Sequence, residues 1–119
     1  MTSALGKAKR IGGIMRICFL LRIRPDRIEE YRGRHARVWP ELQNALRETG
    51  WKNYSLFLRS DGMLVGYLEA EDFARCCAAM KQRSVNARWQ VEMKPFFDGL
   101  GNDGADDHMT PLEEVFHLD

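Results

Sequence analysis

Tyr31, His35 and Trp39 stand four residues apart. On a helix that spacing stacks all three along one face. A helix face that buries against a sheet usually holds Leu, Ile or Val; this one offers a phenol, an imidazole and an indole. Histidine is the side chain whose ordinary pKa, about 6.5, lets it act as both acid and base near neutrality. Tyr and Trp join a flat apolar surface to a polar handle, which suits the C–H face and hydroxyl rim of a sugar ring. The same spacing also fits a core histidine with satisfied hydrogen bonds between two half-buried aromatics. Spacing alone leaves both readings open.

Further aromatic and amide side chains are placed to join that group. Tyr54 opens a strand just beyond the first helical region, and Trp89 lies on a later helix. Taken singly, each also reads as core. Asn53, Asn86 and Gln90 lie beside them and can donate or accept hydrogen bonds. His108 and His117 have no partner at metal-ligand spacing, so no metal site is expected. Arg32, Arg34 and Arg37 read as a solvated helix face, and Met63 and Met80 as core filling. Phosphate loops, serine nucleophile elbows and dinucleotide fingerprints are absent from the sequence.

The elements that must hold these residues follow from periodicity. Residues 16–24 alternate as a strand with Ile17, Phe19, Leu21 and Ile23 on one face. Cys18 and Leu20 make the other face apolar as well, which predicts cover on both sides. Pro25 stops the strand, and Asp26 with Glu29 forms a capping-box pattern. Ile28, Tyr31, His35, Val38, Trp39, Leu42 and Leu46 then mark a helix face, with Gly50 as its stop and Pro40 as a kink or break near Trp39. Strands follow at 52–59 and 63–69 around the Asp61-Gly62 turn, with Gly66 marking a close approach or bulge. A helix over 71–83, capped by Glu71 or Asp72, points Phe73, Cys76, Cys77 and Met80 inward. Ser84 reads as the cap of a third helical stretch carrying Val85, Trp89 and Met93, ended or bent by Pro95. A polar Gly/Asp loop, expected to be mobile, spans 99–110, and a last strand is expected from Leu112 to Leu118.

That order, strand-helix-strand-strand-helix-strand, predicts the α+β, ferredoxin-like split βαβ fold, an antiparallel sheet with helices on one face. The bare sheet face predicts a homodimer. Residues 1–14 are small, basic and glycine-containing, and read as a disordered leader before a domain over 15–119.

Composition sets the outer bounds. One domain accounts for 119 residues, of which 45% are hydrophobic and 29% charged. At this size a partner subunit adds useful buried surface. Eighteen Lys and Arg against 17 Asp and Glu give a net charge of +1, and the four basic residues within 1–16 (Lys7, Lys9, Arg10 and Arg16) lack a recognisable nucleic-acid reading element. No apolar run is long enough to span a bilayer. Cys18, Cys76 and Cys77 lie in apolar contexts without zinc or redox spacing, which predicts free thiols in a reducing compartment, the cytoplasm.

Several segments together resemble one family. Tyr31-Arg-Gly-Arg-His35-Ala-Arg-Val-Trp39-Pro40-Glu41-Leu42, Asn53-Tyr54-Ser55, Arg88-Trp89 and Leu112-Glu-Glu-Val-Phe116 look like the signature of the L-rhamnose mutarotases, from about Met15 to the C-terminus. The resemblance implies a cofactor-free isomerase of carbohydrate metabolism that interconverts the α and β anomers of L-rhamnose. It also implies a homodimer with the dimeric α/β-barrel form of the ferredoxin-like fold. It places the proton donor at His35 and substrate contacts at Tyr31, Tyr54, Trp89 and Gln90. Position 90 departs from the pattern: family members carry a second Trp there, so an amide here replaces one apolar wall. Two other readings use the same scaffold. One is a cofactor-independent monooxygenase or small isomerase acting on a greasier substrate. The other is a non-catalytic sugar-binding module, which has no need of a titratable His35.

Overall fold

Residues 10–11 and 13–119 are described by the computed structural model. Four strands form one antiparallel sheet in the order β1-β2-β4-β3: Arg10–Ile11, Ile14–Arg22, Met63–Ala70 and Lys52–Leu58 respectively. Of the leader expected over 1–14, residues 1–9 and 12 lie outside the described residues. Arg10 pairs with Met15 and Ile11 with Ile14.

The period-two pattern of β2 sorts its side chains cleanly. Ile17, Phe19 and Ile23 are 0% exposed on the inner face. The reverse face is covered only in part within one chain: Cys18 is half-buried beside Leu112 but Leu20 is 41% exposed, because all four helices pack on the inner side. β4 runs between β2 and β3. Phe19 lies opposite Gly66, where an added Cβ would come 2.2 Å from the ring's Cζ, so the close approach predicted there is real. The bulge falls elsewhere, between Lys52 and Ser55, with Asn53 at φ +48°. Gly62 closes the hairpin at φ +100°, and its carbonyl accepts from the Ile23 N–H at 2.7 Å.

The first helical region is two helices. A 3-10 turn over Pro25–Arg27 leads into α1 (Ile28–His35), and α2 begins at Pro40 and runs to Glu48. Pro40 lacks an N–H and sits at the first position of α2, where none is needed. It forces Trp39 to an extended ψ of 132°, so the helix cannot run through. The capping box at Asp26 is not made: Asp26 lies within the 3-10 turn and α1 has no side-chain cap. Glu29 pairs instead with Arg32. Gly50, at φ +96°, follows the end of α2 as expected.

α3 spans Phe73–Lys81, and the Asp72 carboxylate accepts from the Arg75 N–H at 3.2 Å. α4 spans Ser84–Met93; Ser84 is its first residue rather than its cap. A 3-10 turn over Lys94–Phe96 carries Pro95. The 99–110 loop buries Leu100 and Ala105 and contains a 3-10 turn at Ala105–Asp107. Asp107 anchors that turn, accepting from the Gly104 N–H at 3.0 Å and pairing with Lys81.

The strand expected over Leu112–Leu118 does not form. The Leu112 N–H donates to the Cys18 carbonyl at 2.7 Å, and Arg16 pairs with Glu114 at 2.5 Å. Val115, Phe116 and Leu118 stay exposed. Their alternating pattern has no second surface within one chain to bury against, so the segment lies along β2 without a ladder. The fold is thus a small α+β domain with an antiparallel sheet and four helices on one face.

Candidate active site

His35 occupies the last turn of α1, beside the break before Pro40. Its imidazole stacks on the Tyr31 ring one turn earlier, with centroids 4.1 Å apart and planes 28° off parallel. His35 Nδ1 lies 3.2 Å from the Tyr31 main-chain carbonyl oxygen. A carbonyl can only accept, so Nδ1 carries the proton and Nε2 keeps its lone pair. Burial pushes the His35 pKa below its ordinary value, partly offset by that hydrogen bond. The imidazole is therefore neutral at pH 7, with Nε2 as the basic atom.

Aromatic rings brace this pair. Phe96 and Phe97 meet the Tyr31 ring edge-on, with centroids 6.3 and 6.0 Å away. Trp89 meets His35 edge-on at 5.5 Å, and Trp39 meets Trp89 at 5.0 Å. Across the cavity Tyr54 packs on Trp51 at 5.0 Å and on Phe19 at 6.4 Å. Burial holds the Tyr31 and Tyr54 hydroxyls far above the usual phenol pKa, so both remain neutral hydrogen-bond donors at any ordinary pH.

Tyr31, His35, Tyr54, Trp89 and Gln90 all line one cavity between the sheet and the helices. The cavity itself is small, about 70 Å³, and opens to solvent. Trp39 stays outside that lining; it packs on Trp89, with the Arg88 guanidinium 5.7 Å over its ring. Asn53 is exposed and donates to Glu69 at 2.8 Å. His108 and His117 pair at the surface with Asp103 and Asp119, at 3.0 and 2.8 Å. Among the described residues no group of three or more His, Cys, Asp or Glu can hold a metal ion. Cys18, Cys76 and Cys77 are free thiols, and Cys77 lines the cavity with its pKa pushed up to about 11 by burial.

Among the lining residues that escaped the sequence reading, Trp51 and Asp106 carry polar groups. Trp51 follows the Gly50 helix stop and donates its indole N–H to the Cys76 carbonyl at 3.4 Å. An aromatic next to a stop and three residues from Tyr54 was the available signal. Asp106 comes from the 99–110 loop, where only the Gly104…Asp107 spacing hints at an ordered turn. Asp106 ends a short polar chain: Gln90 Nε2 donates to Asn86 Oδ1 at 3.3 Å, and Asn86 Nδ2 donates to Asp106 Oδ2 at 3.4 Å. Gln90 Oε1 is buried without a partner among the described residues.

Such a cavity is that of a small α+β acid–base protein: one basic nitrogen in an aromatic pocket, with phenol donors and a polar edge. Comparison with known proteins narrows the class. The sequence model of the L-rhamnose mutarotase family matches residues 16–118. An L-rhamnose mutarotase of Oceanobacillus iheyensis is 37% identical over 102 residues, covering 85% of this chain and 95% of that protein. One from Lactiplantibacillus plantarum is 36% identical over 107 residues, covering 89% of this chain and all of that protein. The crystal structure of L-rhamnose mutarotase FA22100 from Formosa agariphila shares the fold, with a TM-score of 0.71 at 23% identity, over 87% of this chain and 98% of that one. The chain belongs to the L-rhamnose mutarotase family. That membership sets the isomerase reading above the oxygenase and binding-module alternatives.

Proposed function

We propose that the protein interconverts the α and β anomers of L-rhamnose, or of a closely related sugar, by acid–base ring opening and reclosing. The observation that carries this reading is His35: neutral, oriented through Nδ1, and stacked on Tyr31 inside an aromatic cavity. Ring opening removes the proton from the anomeric hydroxyl, breaks the bond from C1 to the ring oxygen and delivers a proton to that oxygen. Rotation of the resulting aldehyde and reclosing on its opposite face yields the other anomer. Each oxygen needs a positioned proton acceptor or donor, and His35 Nε2 serves as one. Tyr31 orients the sugar or relays a proton, Tyr54 hydrogen-bonds a hydroxyl, and Trp89 packs on the ring or the C6 methyl. Gln90 supplies an amide where the family resemblance implies a second indole.

The protein works as a cytoplasmic homodimer in this reading, with two sheets facing each other in a dimeric α/β-barrel. Leu20 and Phe57, 41% and 61% exposed, support burial of the reverse sheet face against a second copy. The free thiols support a reducing compartment. Among the described residues no helix is long and apolar enough to cross a membrane.

Saturation-transfer NMR of the anomeric protons of L-rhamnose tests the activity. Faster exchange with the protein, lost in His35→Ala, is the expected result. No acceleration with L-rhamnose, L-fucose, L-lyxose or L-mannose would overturn the reading.

A further inference from the structure

We infer that Asp106 and Gln90 form a hydroxyl-reading edge of the sugar site, each accepting a hydrogen bond from a ring hydroxyl. The inference rests on the mutarotase reading and adds to it a specificity-determining carboxylate from the 99–110 loop. Asp106, Asn86 and Gln90 all line the cavity that holds His35. Within their chain every amide N–H donation described runs toward the carboxylate: Gln90 to Asn86, then Asn86 to Asp106. Asn86, 6% exposed, has both ends engaged. What the chain leaves open is acceptors: the partnerless Gln90 Oε1 and the Asp106 carboxylate beyond the one oxygen that Asn86 reaches.

These acceptors converge. A Cβ built on Gly104 would lie 3.0 Å from Asp106 Oδ1, 3.8 Å from Asp107 Oδ2 and 3.9 Å from Gln90 Oε1; of these three residues Asp106 and Gln90 also line the cavity, whereas Asp107 is held by the Gly104 N–H and Lys81. A buried acceptor without a donor is unfavourable, which is the position of Gln90 Oε1, while the half-buried Asp106 carboxylate keeps Oδ1 free of the bond that Asn86 gives Oδ2. A neutral donor removes that cost, and sugar hydroxyls are such donors. A C–H or methyl group at the same place leaves both oxygens unpaired. Sites built to pair a hydroxyl reject an analogue lacking it far better than apolar walls reject an analogue of different size. The aromatic walls around Tyr31 and Trp89 therefore hold the ring, while this edge reads which carbons carry hydroxyls.

The test uses the whole chain and exchange NMR, with L-rhamnose and its 2-, 3- and 4-deoxy analogues, each rate taken relative to its uncatalysed exchange. Asp106→Asn is expected to raise KM for L-rhamnose about 10–100-fold with kcat nearly unchanged, the effect of losing a hydrogen bond to a charged acceptor. For the unmodified protein at least one deoxy analogue carries a similar penalty, and that analogue loses little more in Asp106→Asn. Gln90→Leu keeps the side-chain bulk and is expected to repeat the pattern with a smaller change, which guards against misfolding of the loop variant. His35→Asn lowers kcat without altering the ranking of the analogues. Three results would overturn the inference while leaving the mutarotase reading intact: unchanged KM in both edge variants, equal losses for every analogue, or a fall in kcat at constant KM. Absence of acceleration by the unmodified protein with any of the sugars overturns the mutarotase reading, and the inference with it.

Discussion

The two faces of the sheet treat ionisable groups in opposite ways. On the inner face, burial is the first cause of each shift: it lowers His35 and raises Tyr31 and Tyr54. On the outer face, burial alone raises Cys18, but partners lead for the two charged groups. Glu69 is held low by hydrogen bonds from Asn53 and Tyr67, and Arg16 is held high by Glu114. Tyr67 combines both effects, pushed up to about 12 by burial and then by Glu69. Both faces come from the same strands, one residue apart in register. Desolvation yields neutral groups able to exchange or share protons, whereas pairing yields fixed charges. That difference is what the proposed acid–base site on the helix side and the proposed dimer contact on the other side both rest on.

The contrast breaks most visibly at His35. His35→Asn is expected to cut catalysed anomer exchange by about 10²–10⁴-fold with the fold kept, checked by saturation transfer beside circular dichroism. An unchanged rate would remove the imidazole from the reaction. Next comes Gly66→Ala, whose methyl group collides with the Phe19 ring on the inner face. It should destabilise the domain by about 1–3 kcal/mol in urea unfolding. The equivalent insult on the outer face, Phe57→Asp, should leave chemical stability of the folded subunit alone and turn a sedimenting dimer into a monomer. A monomeric unmodified protein would remove the outer face's assigned role.

The smallest effect is on pH. A histidine whose folded pKa lies below its unfolded value binds protons more readily once unfolded. Its share of stability is complete above about pH 6.5 and declines as pH falls through the unfolded and then the folded pKa. His35→Asn should flatten that part of the stability profile. The acid limb of kcat/KM should likewise fall below the ordinary histidine pKa, because the basic form persists to lower pH. A limb above 6.5 would contradict burial as the dominant influence.

Sequence patterning made the framework readable where one local rule sufficed. Alternation located β2, β3 and β4, Asp61-Gly62 located the hairpin, and Gly66 located the contact with Phe19. Four-residue spacing brought Tyr31 and His35 together, and Tyr54, Trp89 and Gln90, which the sequence set beside them and the resemblance made substrate contacts, line the same cavity. Reading failed where local patterns met competing geometry. Asp26 has the cap residue type, yet a proline-led 3-10 turn moves the start of α1 beyond it. Leu112–Leu118 alternates like a strand, yet a strand also needs a neighbour to ladder with over its length. Asp106 enters the cavity through tertiary packing of a Gly/Asp loop, for which no periodicity exists.

The bonds between the 112–114 segment and β2 bear on the order of events during synthesis. Arg16 emerges from the ribosome early, and its carboxylate partner Glu114 follows 98 residues later. Until then the outer edge of β2 around Cys18 offers main-chain groups to any strand that approaches. Closing so long a loop costs only logarithmically more than closing a short one, so the docked state is accessible once the segment exists. The interval itself is the vulnerable period: once β4 has paired with β2, the edge around Cys18 stays open until the 112–114 segment is made and docks.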